Sequence, residues 1–282
     1  MDQISESLTS IRALNMREKS KPERPVALGF VDLKEKEHSR PKKGEEYRII
    51  SASSEGMESL ESPSSKWRKL DLDVYEFFAE DLPDVRLFGK KNEGLIKINI
   101  DTKDPQNLDA ESAVATFVNE FKVKDGEFAP GFLYRGVFRN VIFEDWVNLN
   151  VDLYELDTDA SKYYERIKSI IDGVPEIKDL NVLKGIPYLN LATKLFEGIV
   201  RVFGKNADDH VWGEIPLLEV KPLIGGAFLR SGIFILYEKG EGKKDIEVED
   251  LAYKDGYVIL KNNKKKLTNH LIFGIRVRPH IV

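Results

Sequence analysis

In the stretch "WVNLNVDLYEL", Val147, Leu149, Val151 and Leu153 alternate with Asn148, Asn150, Asp152 and Tyr154. Side chains two positions apart share a face of an extended chain, so the run predicts a strand buried on one side. The same period passes through "GLIKINI", with Leu95 or Ile96, Ile98 and Ile100, and through "FLYRGVFRNVIF". "LDLDVYEFF" alternates too, until the run Tyr75, Phe77, Phe78. "PVALGFVDL" and "EYRIIS" read as two strands around the charged turn "KEKEHSRPKKGE". Further on, "HVWGEIPLLEV" and "FLRSGIFILYE" resume the strand texture, and "GYVILKNNKKKLTNHLIFGIRV" predicts a hairpin turning at Asn262-Asn263 and the lysine run.

The period changes once. "ASKYYERIKSIIDGV" spaces Tyr163, Tyr164, Ile167, Ile170 and Ile171 as one side of a helix, ended by Gly173 and Pro175. "NLATKLFEGIVRVFG" repeats the signal through Leu191, Leu195, Phe196, Ile199 and Phe203. Such stripes are ordinarily core-facing. The expectation is a mainly β protein: an antiparallel β-sandwich over residues 67–240 with a two-helix insertion at 159–205. A polar, flexible arm at 1–25 and a short β segment with a serine-rich linker at 26–66 precede it. A β-hairpin extension at 241–282 follows.

Composition narrows the function. The 282 residues are 41% hydrophobic and 32% charged, enough for a sizeable core under a heavily charged surface. A net charge of −5 argues against a dedicated nucleic-acid binder. The absence of cysteine excludes disulfides, thiolate metal sites and a cysteine nucleophile, and four scattered histidines leave little for a histidine metal site. No apolar run is long enough to span a bilayer, and the first 25 residues lack a secretory layout. The default expectation is a soluble, cytoplasmic protein, at most peripheral to a membrane.

The predicted helices are bracketed by "LYELDTDAS" and "KNADDHVWGEIPLL". If they fold back as one excursion, Asp157, Asp159, Asp208 and Asp209 gather at one end of the sandwich. Gathered loop carboxylates suit a hard cation such as calcium, which takes six to eight oxygens. Asp also caps helices and favours turns, which accounts for Asp159 equally well.

With the helices excised, "VDLYELDTD…ADDHVWGEIPLL" resembles the third-loop region of the C-two domain, the calcium-dependent membrane module named after protein kinase C. "AEDLPDVRLFGKKNEGLIKINI" is similar to that family's first loop, and "FRNVIFEDWVNLNVDLYELD" to its middle strands. The likeness covers residues 70–157 and 206–238. It implies calcium ligands at Asp84, Asp157, Asp159 and Asp209. It also places Leu87 and Phe88 at a membrane-facing tip, with Arg86, Lys90 and Lys91 beside anionic headgroups. The chain departs from the family in having "KKNEG" where an acidic residue follows the first-loop glycine, and in the helical insertion. The other reading of Phe88 is a plug folded beneath its own loop.

Two further readings stay open. Asp208 or Asp209 followed by Glu219-Val220-Lys221 looks like the Asp…Glu-x-Lys arrangement of restriction-endonuclease-like nucleases. There, carboxylates (Asp209 and Glu219, with Glu197 a further candidate) hold magnesium and Lys221 orients the attacking water. A short pattern of this kind arises readily by chance in a chain so rich in charge. The third reading is a metal-free assembly subunit that docks on protein partners or oligomerises, with edge strands suited to strand addition. A non-catalytic binding module engaging a membrane surface or a protein partner is the reading favoured over an enzyme.

Overall fold

The computed structural model describes residues 25–33, 41–53, 67–79, 92–102, 113–132, 135–155, 211–212, 217–222, 226–239, 246–267 and 269–279. These form two sheets. The larger contains β1 (Val26–Asp32), β2 (Glu46–Ser51), β3 (Arg68–Ala79), β6 (Glu127–Phe128), β7 (Arg135–Phe143), β11 (Gly232–Glu238), β12 (Leu251–Lys254), β13 (Tyr257–Leu260) and β14 (His270–Pro279). Its order is β13-β12-β2-β1-β11-β14-β3-β6, with β7 also paired to β3. The smaller contains β4 (Asn92–Thr102), β5 (Ala113–Val123), β8 (Trp146–Glu155), β9 (Leu218–Glu219) and β10 (Ala227–Phe228), in the order β10-β9-β8-β4-β5. All pairings are antiparallel except the short β9–β10 contact.

The main core lies between the sheets. Period-two burial is realised where the pattern predicts it: Val147, Leu149, Val151 and Leu153 of β8, and Ile96, Ile98 and Ile100 of β4, are all at most 1% exposed. They meet Leu70, Leu72, Val74 and Phe77 of β3. The alternation of β3 breaks because the strand bulges there. Val74 pairs with Phe273 and Glu76 with Ile272, leaving Tyr75 as the extra residue. The inward set therefore changes from even to odd numbers, and Phe77 and Ala79 continue the row begun by Leu70 and Leu72.

The large sheet curls, and a second core fills the inside of the curl. Ile233, Ile235 and Tyr237 face it from β11, while Phe234 and Leu236 face the main core. Burial on both sides explains the unbroken apolar run of this strand. Val31, Ile49, Leu251, Val258, Leu267 and Ile272 complete the second core, with Val248 from a 3-10 turn at Val248–Asp250. The two ends of the sheet meet through side chains. Tyr257 of β13 packs on Phe128 of β6 (ring centroids 4.6 Å apart) and on Phe78 of β3 (5.5 Å).

The structure differs from the sequence expectation in three respects. Strands from 26–51 and 251–279 hydrogen-bond into the same sheet as β3 and β11, and β14 lies between those two strands. The chain does reverse at Asn262-Asn263, where Ile259 bridges Lys266 and the Leu260 N–H donates to the Lys265 carbonyl (2.9 Å), but a further hairpin that the pattern did not single out joins β12 to β13 and turns at Asp255-Gly256. Asp255 (φ 50°) and Gly256 (φ 86°) both take the left-handed conformation that a two-residue hairpin turn requires. β5, which the alternation did not single out, forms an unbroken ladder with β4 from Asn92↔Val123 to Thr102↔Ala113. The predicted helices of 159–205 lie outside the described residues.

Candidate functional site: one end of the sandwich

The strand registers bring two long connections to the same end of the molecule. β4 begins where β8 ends, Gly94 pairing with Glu155, and where β5 ends, Asn92 pairing with Val123. β3 reaches the same end, since the Ala79 carbonyl accepts the Gly126 N–H (2.7 Å) in the turn after β5. The 80–91 connection thus runs between strands that terminate together. The 156–210 connection leaves from Glu155 and returns nearby, for the Val211 N–H donates to the Leu153 carbonyl (2.8 Å).

Beneath this end, Phe77, Phe121, Phe132 and Trp212 pack ring against ring at centroid distances of 5.1 to 6.1 Å. Gly94 makes room for them: a Cβ there would collide with the Phe121 ring directly across the ladder. Trp212 is fully buried, and its indole N–H donates to Glu238 Oε1 (3.0 Å), which also accepts from Asn269 Nδ2 (2.9 Å). The returning chain is thereby pinned to the end of β11. The result is a packed aromatic layer beneath the strand ends from which both connections leave.

The outward face of the small sheet carries polar pairs in register. Lys97 Nζ donates to Asp152 Oδ2 (2.7 Å), both residues being buried. Further along, Asn148 Nδ2 donates to Asp101 Oδ2 (3.2 Å), and burial raises the Asp101 carboxyl while that bond and the Lys97 charge pull it down. On the outer face of the large sheet, Asp71 accepts from the Asn140 N–H (2.9 Å) and from Arg278 Nη2 (2.6 Å). Asn140 is left-handed (φ 54°), and its bulge turns its N–H onto the carboxylate. These groups answer one another and make a structural lattice.

Of the residues picked out by sequence, Asp84, Asp157, Asp159 and Asp209, and the tip residues Arg86, Leu87, Phe88, Lys90 and Lys91, lie outside the described residues. Among the described residues no group of three or more His, Asp or Glu side chains is placed to hold a metal. Glu219 and Lys221 are described. Leu218 and Val220 are buried between and beside them, so both point away from the core. Glu219 pairs with Trp146, at the start of β8, whereas the chain following Asp209 bonds to Leu153 near its end. Seven strand positions separate those points, about 23 Å at the usual rise.

Sequence reasoning missed Glu76, which stands at the β3 bulge with Oε2 buried and without a hydrogen-bond partner. Its carboxyl is pushed up to about 7 by burial. The available signal was a glutamate inside an otherwise apolar "VYEFFA" run.

No protein-family model, curated protein or solved structure matches the chain.

Proposed function

We propose that this protein is a non-catalytic binding module that engages an anionic membrane surface through the loop end of a C-two-like sandwich. In this reading Leu87 and Phe88 enter the interface while Arg86, Lys90 and Lys91 meet the headgroups. Asp84, Asp157, Asp159 and Asp209 are the carboxylates for a calcium ion that bridges loop and lipid. The observation that supports it is the common attachment point: the 80–91 and 156–210 connections spring from strand ends that pair with one another, Gly94 with Glu155. Two inserted apolar side chains contribute roughly 1.5–3 kcal/mol each and each basic residue about 1 kcal/mol, which gives reversible attachment.

The test is co-sedimentation with vesicles containing phosphatidylserine, with and without calcium, beside a calorimetric calcium titration. Calcium-dependent sedimentation, lost in Leu87→Ala/Phe88→Ala, and calcium heat, lost in Asp157→Asn/Asp159→Asn, are the expected results. Neither heat nor sedimentation would overturn the reading and leave the metal-free assembly subunit in its place.

A further inference from the structure

Where the curled sheet meets itself, a half-buried carboxyl group keeps one oxygen with nothing to bond to. Glu76 leaves β3 at the bulge and lies against the Asp255-Gly256 turn, so close that a Cβ at Gly256 would fall on its Oε2. That oxygen is buried and has no hydrogen-bond partner. The β12–β13 hairpin pressing on it is short. It is tied to β2 through Ala252↔Arg48, Tyr253↔Tyr47 and Lys254↔Glu46, and its turn is held by the Gly44 N–H, which donates to Asp255 Oδ1 (2.6 Å). On its other side the Tyr257 ring packs on Phe128 and Phe78, with Lys266 Nζ 3.7 Å from the Tyr257 centroid, and Val258 bonds to His270 and to the Leu267 N–H (2.7 Å).

We propose that this seam is a proton-operated closure: the hairpin lies shut over a neutral Glu76 and lifts from β3 when that carboxyl ionises. A carboxylate needs water or donors, and the closed seam offers its Oε2 neither. Lifting the hairpin lets water reach the oxygen and exposes the rim of the second core.

The other titratable groups around the seam are few among the described residues. Lys254 and Asp255 precede Gly256, Tyr257 follows it, Glu127 adjoins Phe128, and Lys266 covers Tyr257. His270 stacks on Phe78 from β14 (5.2 Å) and is fully buried. Its Nε2 accepts the Val258 N–H (3.3 Å), so the proton sits on Nδ1, against the Leu267 carbonyl (3.2 Å). The test must therefore separate Glu76 from this buried imidazole.

The sign follows from the raised value. Burial lifts the closed-state carboxyl from 4.5 to about 7, so the closed seam holds a proton that the open one releases. Closure is at full strength below about pH 4.5, weakens as pH rises toward 7, and levels off above it, by at most about tenfold per pH unit.

Amide exchange of residues 251–260 between about pH 5 and 8, with the intrinsic rate divided out, reads the opening equilibrium directly. The full-length protein should open more readily at each step up to about pH 7, and Glu76→Gln should give a flat profile. A flat profile in the wild type overturns the proposal, as does a slope that survives in Glu76→Gln, which would assign the effect to His270. A carbon-13 titration of Glu76 in the wild type does not depend on how the variant folds. A midpoint near 7 is expected, and one near 4.5 overturns the proposal.

Discussion

On one face of the large sheet, Leu72, Val74 and Phe77 meet the aliphatic rows of β4 and β8. On the other, Ile235, Tyr237 and Ile272 meet the sheet's own far end, brought round by β12 and β13. The first core is closed by a second sheet, so its boundary is a long interface and its polar groups stand outside, paired across strands as Lys97 is with Asp152. The second is closed by curling, which leaves a rim where the two ends of one sheet lie side by side. Side chains must seal that rim, and here they are rings, a lysine, a histidine and an unpaired glutamate. A core closed by a sheet can be wholly apolar inside; a core closed by a curl has a seam, and the seam is where titration reaches the fold.

If this contrast holds, damage to the two regions should differ in size. Phe77→Ala removes a fully buried ring in contact with Phe121, Phe132 and Trp212. The expected loss is about 3–5 kcal/mol in urea unfolding followed by tryptophan fluorescence. Asp152→Ala leaves Lys97 buried beside a missing partner and should cost about 3 kcal/mol, with much of it recovered in Lys97→Met/Asp152→Leu. Recovery would show that the pair is tolerated in the small sheet's outer face without being the source of its stability. Gly256→Ala forces a Cβ into a left-handed turn and onto Glu76. It should cost only about 1–2 kcal/mol, because the strain is confined to the hairpin. A loss equal to that of Phe77→Ala would mean the hairpin is integral to the main core, and the contrast would fail.

The sequence disclosed each region to a different degree, for a physical reason. Val147 through Leu153 could be placed facing the core because a one-sided strand writes its orientation as a period of two. β11 reads only as an apolar run, since burial on both faces erases the alternation. Tyr75 looked like the end of a pattern because a bulge shifts parity without any residue type announcing it. The turn at Asn262-Asn263 was read correctly, whereas the Asp255-Gly256 turn just before it, a strong two-residue hairpin signal, was passed over because the strand leading into it, Leu251–Lys254, is so short. Glu76 is the instructive miss. Its partner in the seam, Gly256, lies 180 positions away, and nothing local marks a glutamate that a distant turn will cover. The shared end of the 80–91 and 156–210 connections was an expectation from resemblance, and the register of β4 and β8 supplies the geometry that bears on it.

β14 lies in the large sheet between β11 and β3, and Arg278 reaches Asp71 across 207 positions of chain. During synthesis β3 and its neighbours β6 and β7 are made early, yet the strand that joins them to β11 and β1 comes last among those described. Until it arrives the sheet exists as two unjoined halves, each with a bare hydrogen-bonding edge of the kind that recruits other chains. Folding should therefore be slow and trail behind translation rather than keep pace with it. A ribosome stalled before β14 would present two sticky half-sheets to the cell's chaperones, however sound every earlier strand had become.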